Sequence, residues 1–228
     1  MAHITDPEFG TITIRTSPGA SKIAVRLAPN GSLRVSAPRF TPKFAITSLI
    51  NRSRSDIRAL LSEQQTLYTD DQQIGKSHSL VIHTVPGPSS VTASGTSIIV
   101  RAPEKQQLES PALQQDIRAH IIKALRKEAK SYLPRRLSYI AREHGFAYTS
   151  TKLTHASSRW GSCSSSGTIS LNISLMTLPF ELIDYVLIHE LCHTSHMNHS
   201  TEFWSLVQQY DPDYKQHRRE LKQHTPHI

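Results

Sequence analysis

Between residues 11 and 39, apolar and polar side chains alternate with the two-residue period of β-strands. Ile12 and Ile14 form the first run, Ile23, Val25 and Leu27 the second, and Leu33 and Val35 the third. Asn30-Gly31 stands between the last two runs, a dipeptide suited to a two-residue hairpin turn. Pro42 then opens a segment in which Phe44, Ile46, Leu49, Ile50, Ile57, Leu60 and Leu61 recur at helical spacing. Two further strand-like stretches, at 79–85 and 97–100, are separated by Pro-Gly-Pro-Ser-Ser at 86–90. The pattern predicts a β-rich portion with one helix over residues 1–105.

The period then changes. Ser110-Pro111 places an N-cap residue before a proline at the first helical position, and the helical pattern runs on to Gly145. Pro134 lies inside it and is expected to kink or divide the helix, because it removes a backbone donor. The basic stretch from Arg126-Lys127 to Arg135-Arg136 reads as a solvated face. From 168 to 175, Ile169, Leu171, Ile173 and Leu175 alternate with Thr168, Ser170, Asn172 and Ser174, so a strand is predicted. Ser165-Ser166-Gly167 turns it back as a hairpin onto 159–163. Leu182, Ile183, Tyr185, Val186, Leu187 and Ile188 then form an apolar run suited to a buried helix, against which the long helix is expected to pack. Phe203, Trp204, Leu206 and Val207 mark one more helical stripe. The expectation is an α+β fold in two portions, 1–105 and 106–228.

Composition narrows the picture modestly. A chain of 228 residues is long enough for a buried core. Lys and Arg number 26 against 18 Asp and Glu, a formal net charge of +8, which favours polyanions by general electrostatics. Yet the cations are scattered, with only pairs at Arg52 and Arg54, Arg135 and Arg136, and Arg218 and Arg219. A nucleic-acid partner is therefore open to test but is not indicated by a motif. Two cysteines, Cys163 and Cys192, make no disulfide framework and suit a reducing, cytoplasmic setting. The opening Met-Ala-His-Ile-Thr-Asp-Pro-Glu-Phe carries no signal-peptide pattern and reads as a segment that could derive from a vector. No apolar run approaches the roughly 18–20 residues needed to span a bilayer. Oligomeric state is not readable.

The chemistry concentrates in His189-Glu190-Leu191-Cys192-His193 and the following His199. Residues i and i+4 of a helix share a face, so His189 and His193 can offer two imidazole nitrogens to one ion. Three protein ligands with one open position mark a catalytic rather than a structural zinc. Glu190 is then placed to act as general base. The candidate third ligand is His199, six residues after His193. The helix is expected to reach about His196 and to turn at Met197-Asn198, Asn being tolerant of positive φ. His196 and Glu202 are the alternatives. With 13 histidines in the chain, H-E-x-x-H alone arises by chance in roughly a few per cent of such sequences; adding His199 lowers this to roughly a few per thousand.

Around this motif stand Arg159-Trp160-Gly161-Ser162-Cys163, Ser170-Leu171-Asn172, Leu178-Pro179, Asp184-Tyr185-Val186, Asn198-His199-Ser200 and Phe203-Trp204. In this combination the chain resembles the YgjP-like family of zinc metallopeptidases, akin to the SprT and WLM groups. The resemblance spans residues from about 11 to 221, more loosely at Asn30-Gly31 and Ala37-Pro38. It implies a zincin-like catalytic portion, Zn²⁺ on His189, His193 and His199, Glu190 as the catalytic residue, and a protein or peptide substrate. Cys192 departs from it, standing where many relatives carry a small residue such as Ala. Some relatives are labelled nucleotide (UTP) pyrophosphatases. That rival chemistry prefers carboxylate-held Mg²⁺ and a phosphate-cradling Gly-rich loop, and neither is evident in this sequence. The second rival is a nucleic-acid-associated module in which zinc is only structural.

Several residues carry narrower expectations. The 159–175 hairpin is assigned an extended substrate, with Ser170 and Asn172 of its polar face as contacts. Trp160 reads as core packing. Cys163 is a candidate fourth ligand that would close the site. Phe203, Trp204, Leu206 and Val207 are expected to floor the site. Tyr210, Tyr214 and His217 are candidates to steady a developing oxyanion. His78 and His83 read as ordinary surface or core histidines, and His224 and His227 as tail residues.

Overall fold

The computed structural model describes residues 2–17, 20–27, 33–62, 68–103, 108, 110–226 and 228. The chain forms two compact units, Met1–Leu67 and Tyr68–Ile228. The boundary expected at residue 105 is thus displaced, because the strands between 72 and 102 pack on the long helix of the second unit.

The first unit is a four-stranded sheet of β1 (Ala2–Asp6), β2 (Gly10–Thr16), β3 (Ala24–Leu27) and β4 (Leu33–Ala37), in the order β1-β2-β4-β3. Helices α1 (Lys43–Arg52) and α2 (Arg54–Ser62) follow. Alternation in β2 and β4 buries Ile12, Ile14, Leu33, Val35 and Ala37 against Ile46, Ile50 and Ile57. Strands β3 and β4 pair antiparallel as expected, and the Asn30-Gly31 turn lies outside the described residues. Three details differ from the sequence reading. The opening residues form β1, paired with β2, and Asp6 receives Arg54 at 2.8 Å. The single helix is two, broken at Ser53. Phe44 is exposed, because its position falls on the solvent side of α1.

The second unit holds two sheets and four α-helices among the described residues. Strands β5 (Gln72–Ile74), β6 (His78–Thr84), β7 (Ser90–Ser94) and β8 (Ser97–Ala102) form a sheet in the order β5-β6-β8-β7. Helix α3 (Pro111–His144) is capped as read: Ser110 Oγ accepts from the Leu113 N–H, and Gly145 at φ 73° ends it. Pro134 does not divide it; the fully buried Leu133 and Leu137 flank the proline and hold the helix across it. The second sheet is β9 (Ser150–Thr154), β10 (Gly161–Cys163) and β11 (Thr168–Asn172), in the order β10-β11-β9. The predicted hairpin is present, but the strand stops at Asn172 and a 3-10 helix takes over at Ile173–Thr177. Helices α4 (Phe180–Cys192), α5 (Thr201–Tyr210) and α6 (Tyr214–Leu221) complete the unit.

Helix α4 owes its position to α3. Arg136 donates to both Asp184 oxygens, at 2.8 and 2.6 Å, which corrects the reading of its stretch as solvated only. Further along α3, Glu128 is wrapped by the β5–β6 turn. Its carboxylate accepts from the backbone N–H groups of Lys76 (2.7 Å), Ser77 (2.9 Å) and His78 (3.2 Å). It also meets the Ser77 hydroxyl at 2.8 Å and His78 Nδ1 at 2.5 Å. Gly75 sits at φ 63°, where a Cβ would collide with this carboxylate. The Lys76 ammonium reaches on to the Leu178 carbonyl, just before α4 begins. His78 is therefore a hydrogen-bonded core histidine.

Burial alone would push the Glu128 carboxyl up. The hydrogen bonds from His78, Lys76 and Ser77 outweigh that and hold it below its ordinary 4.5. A carboxyl lowered on folding stabilises above its unfolded value and loses that contribution as pH falls through the folded one. Glu128→Ala is expected to cost about 3–5 kcal/mol near neutral pH, by stranding the buried His78 and releasing the half-buried turn that the carboxylate holds. Urea unfolding at pH 7 and at pH 4 checks this, with a smaller difference between variant and parent at pH 4. Among the described residues, no helix is long and apolar enough to cross a membrane.

Candidate metal centre

Helix α4 is apolar on nearly every side, so it is buried and its few polar groups must find partners. His189 lies in its last turn, and His193 is the residue that caps it, still helical at φ −66°, ψ −17°. The helix thus ends at Cys192 rather than near His196. The N–H groups of Thr194, Ser195 and His196 bond back to the Leu191 and Cys192 carbonyls. Spreading the reversal over these residues removes any need for positive φ at Asn198; among described non-glycine residues only Asp71 has it. Ser200 then caps α5, its hydroxyl accepting from the Phe203 N–H, and His199 stands immediately before that cap.

The three imidazoles converge. His189 Nε2 lies 3.2 Å from His193 Nε2 and 3.1 Å from His199 Nε2. Nitrogens about 2.0–2.1 Å from one tetrahedral ion are about 3.3 Å apart, so the spacing fits a shared cation. Among the described residues this is the one group of three or more His, Cys, Asp or Glu arranged to hold a metal. His193 Nδ1 lies 3.0 Å from the His196 carbonyl; a proton there turns the lone pair of Nε2 toward its neighbours. Burial, helped by His193, His199 and Arg218, pushes His189 down to about 3. Burial likewise lowers His193, against the His196 carbonyl. Neutral imidazole is the form a metal requires.

Phe203 floors this triad, as the stripe predicts. Its fully buried ring stacks on His193 at 4.4 Å and meets His189 and His199 edge-on at 5.0 and 4.8 Å. Trp204 stacks on His199 at 5.5 Å. Glu190, on the same helix, is 5% exposed, and no protein group donates to its Oε2. Burial pushes its carboxyl up to about 8, with Arg159 pulling the other way.

Gly161 belongs to the Arg159–Cys163 motif, and the fold gives it a role that the motif alone does not show. A Cβ there would lie 2.6 Å from Glu190 Oε1, 2.8 Å from Cγ and 2.9 Å from Cδ. Strand β10 therefore passes against the Glu190 carboxyl, and only glycine leaves it room. Asn172, expected at the substrate, is instead fully buried. Its amide donates to the Ala156 and Arg159 carbonyls at 2.6 and 2.9 Å, and its Oδ1 accepts from the Ser174 N–H. It braces the loop leading into β10. Ser170 is half-buried on β11, the middle strand, so it offers no sheet edge.

Other candidates lie apart from the triad. His196 contributes its carbonyl, not its ring. Glu202 is exposed, its carboxyl lowered by a hydrogen bond with Ser200. Cys163 is half-buried outside the ligand group, and burial pushes its thiol up. Tyr210 packs on His144 and Phe146, Tyr214 on Trp204, and His217 bonds to Asp211 at 2.8 Å.

The model of the YgjP-like family, metallopeptidase domain, matches residues 21–224. The chain belongs to this family. It is accordingly a metallopeptidase domain, with a metal cofactor and a peptide substrate. No curated protein matches the sequence. Among solved structures, the metallopeptidase zymogen abylysin of Pyrococcus abyssi is similar at 25% identity, over 40% of this chain and 92% of that one, with a TM-score of 0.36.

Proposed function

We propose that this YgjP-like chain is a zinc peptidase in which His189, His193 and His199 hold the ion and Glu190 is the general base. The convergence of three imidazoles, with Glu190 next in the chain to His189, supports this reading. Three imidazoles suit zinc among the available divalent ions. Bound Zn²⁺ supplies Lewis acidity, lowering the pKa of water toward about 7 and polarising a carbonyl. Glu190 takes the proton of the attacking water and passes it to the departing amide nitrogen. Burial raises its proton affinity, and a dication held beside it would draw the carboxyl back down, leaving a group able both to take and to give the proton.

The substrate is assigned to the outer edge of β10, as an added strand. The Asn172 N–H bonds to the Trp160 carbonyl and the Ser164 N–H to the Thr168 carbonyl. By antiparallel alternation, Gly161 and Cys163 then turn their backbone groups outward. A peptide paired there passes the Glu190 carboxyl, which abuts Gly161.

The test is a peptide-library and nucleotide-hydrolysis screen with chelator, then with zinc restored. The expected result is peptide cleavage that chelator abolishes and zinc restores. Nucleotide hydrolysis without peptide cleavage would overturn the assignment.

A further inference from the structure

Helix α6 carries Lys215, Arg218 and Arg219, and Lys222 caps it. Arg218, Arg219 and Lys222 follow Lys215 by three, four and seven positions, so all four cations lie on one helical stripe. All four are exposed, and they line a shallow cavity of about 320 Å³. Like charges at such spacing repel. Among the described residues, no carboxylate lies within ion-pair distance of any of them. The stripe also begins beside the metal centre. The Arg218 guanidinium sits 4.5 Å over Trp204, which stacks on His199. Arg159, exposed just before β10, adds positive charge on the Glu190 side.

We propose that this stripe is a cationic subsite that receives an acidic stretch of the substrate polypeptide near the scissile bond. The inference rests on the peptidase reading above and names the charge class of its substrate. Lys215 to Lys222 spans seven residues, about 10 Å of helix axis. In an extended chain, side chains on one face recur about every 7 Å, so two Asp or Glu residues at alternate positions fit that span. A short stripe matches a peptide better than a nucleic acid, which needs cations along a longer backbone track. Trp204, the aromatic ring beside the stripe, already has His199, Tyr214 and Arg218 against it, which leaves it unsuited to stacking a base.

The experiment compares peptides with one cleavable core, flanked on either side by Asp, Asn or Lys triplets. Values of kcat/KM are measured at low and high salt. The expected result is that an Asp triplet on one side raises kcat/KM about tenfold over Asn at low salt, and Lys lowers it. The Asp advantage should vanish at high salt and in R219E/K222E, or in R219Q/K222Q if the reversed protein fails to fold. Equal cleavage of all three peptides overturns the subsite and leaves the peptidase intact. Cleavage of none overturns both. Tighter binding of a mixed-sequence oligonucleotide than of the Asp peptide at the same salt overturns the assignment to a peptide.

Discussion

Replacing Glu190 with Gln is expected to leave one metal ion per chain and to cut kcat on a peptide about 10²–10⁴-fold. Gln keeps the length and shape of the side chain, so the neighbouring imidazoles and the Phe203 floor need not move. It cannot accept a proton at neutral pH. The group it replaces is nearly fully buried, with an oxygen that no protein donor satisfies. Such an atom is costly as a purely structural feature, which favours a role in chemistry. Metal analysis and steady-state kinetics on the same preparation separate the outcomes. Loss of metal with activity would make Glu190 a structural support; retained activity would remove it from the mechanism.

Gly161→Ala is expected to have the second largest effect, about 10²-fold in kcat, with metal content unchanged. The added methyl would lie within 2.6–2.9 Å of three atoms of the Glu190 side chain, well inside contact distance. Either the carboxyl or β10 must give way. Displacing a catalytic group by about 1 Å costs on that order. The histidines lie on other elements, and the three atoms nearest the added methyl all belong to Glu190, so ligation should survive. An alanine variant with full kcat would show that β10 can yield without disturbing Glu190.

What was legible in the sequence was what depends on short-range geometry. His189 and His193 share a face because a helix makes them do so, and His199 returns within a ten-residue stretch. Phe203 was placed by its stripe. The helix caps at Ser110 and Gly145 were equally local. The contact between Gly161 and Glu190 was not legible, because it joins a strand to a helix 29 positions away and glycine announces no partner. Glu128 and His78 illustrate the same limit: a hydrogen-bonded cage across 50 residues leaves no period in the sequence. Asn172 misled because alternation assigns a polar residue to the open face. The strand ends there, and its amide instead satisfies carbonyls of the preceding loop. The unit boundary moved from 105 to 67 because the middle strands need helix α3 to bury their apolar face.

The role proposed for His199, third imidazole of the site, is decided by the metal content of the purified protein beside that of its His199→Ala variant. One zinc per chain is expected in the parent, with a large loss in the variant under the same dialysis. Full occupancy in His199→Ala, with the protein folded, would contradict it.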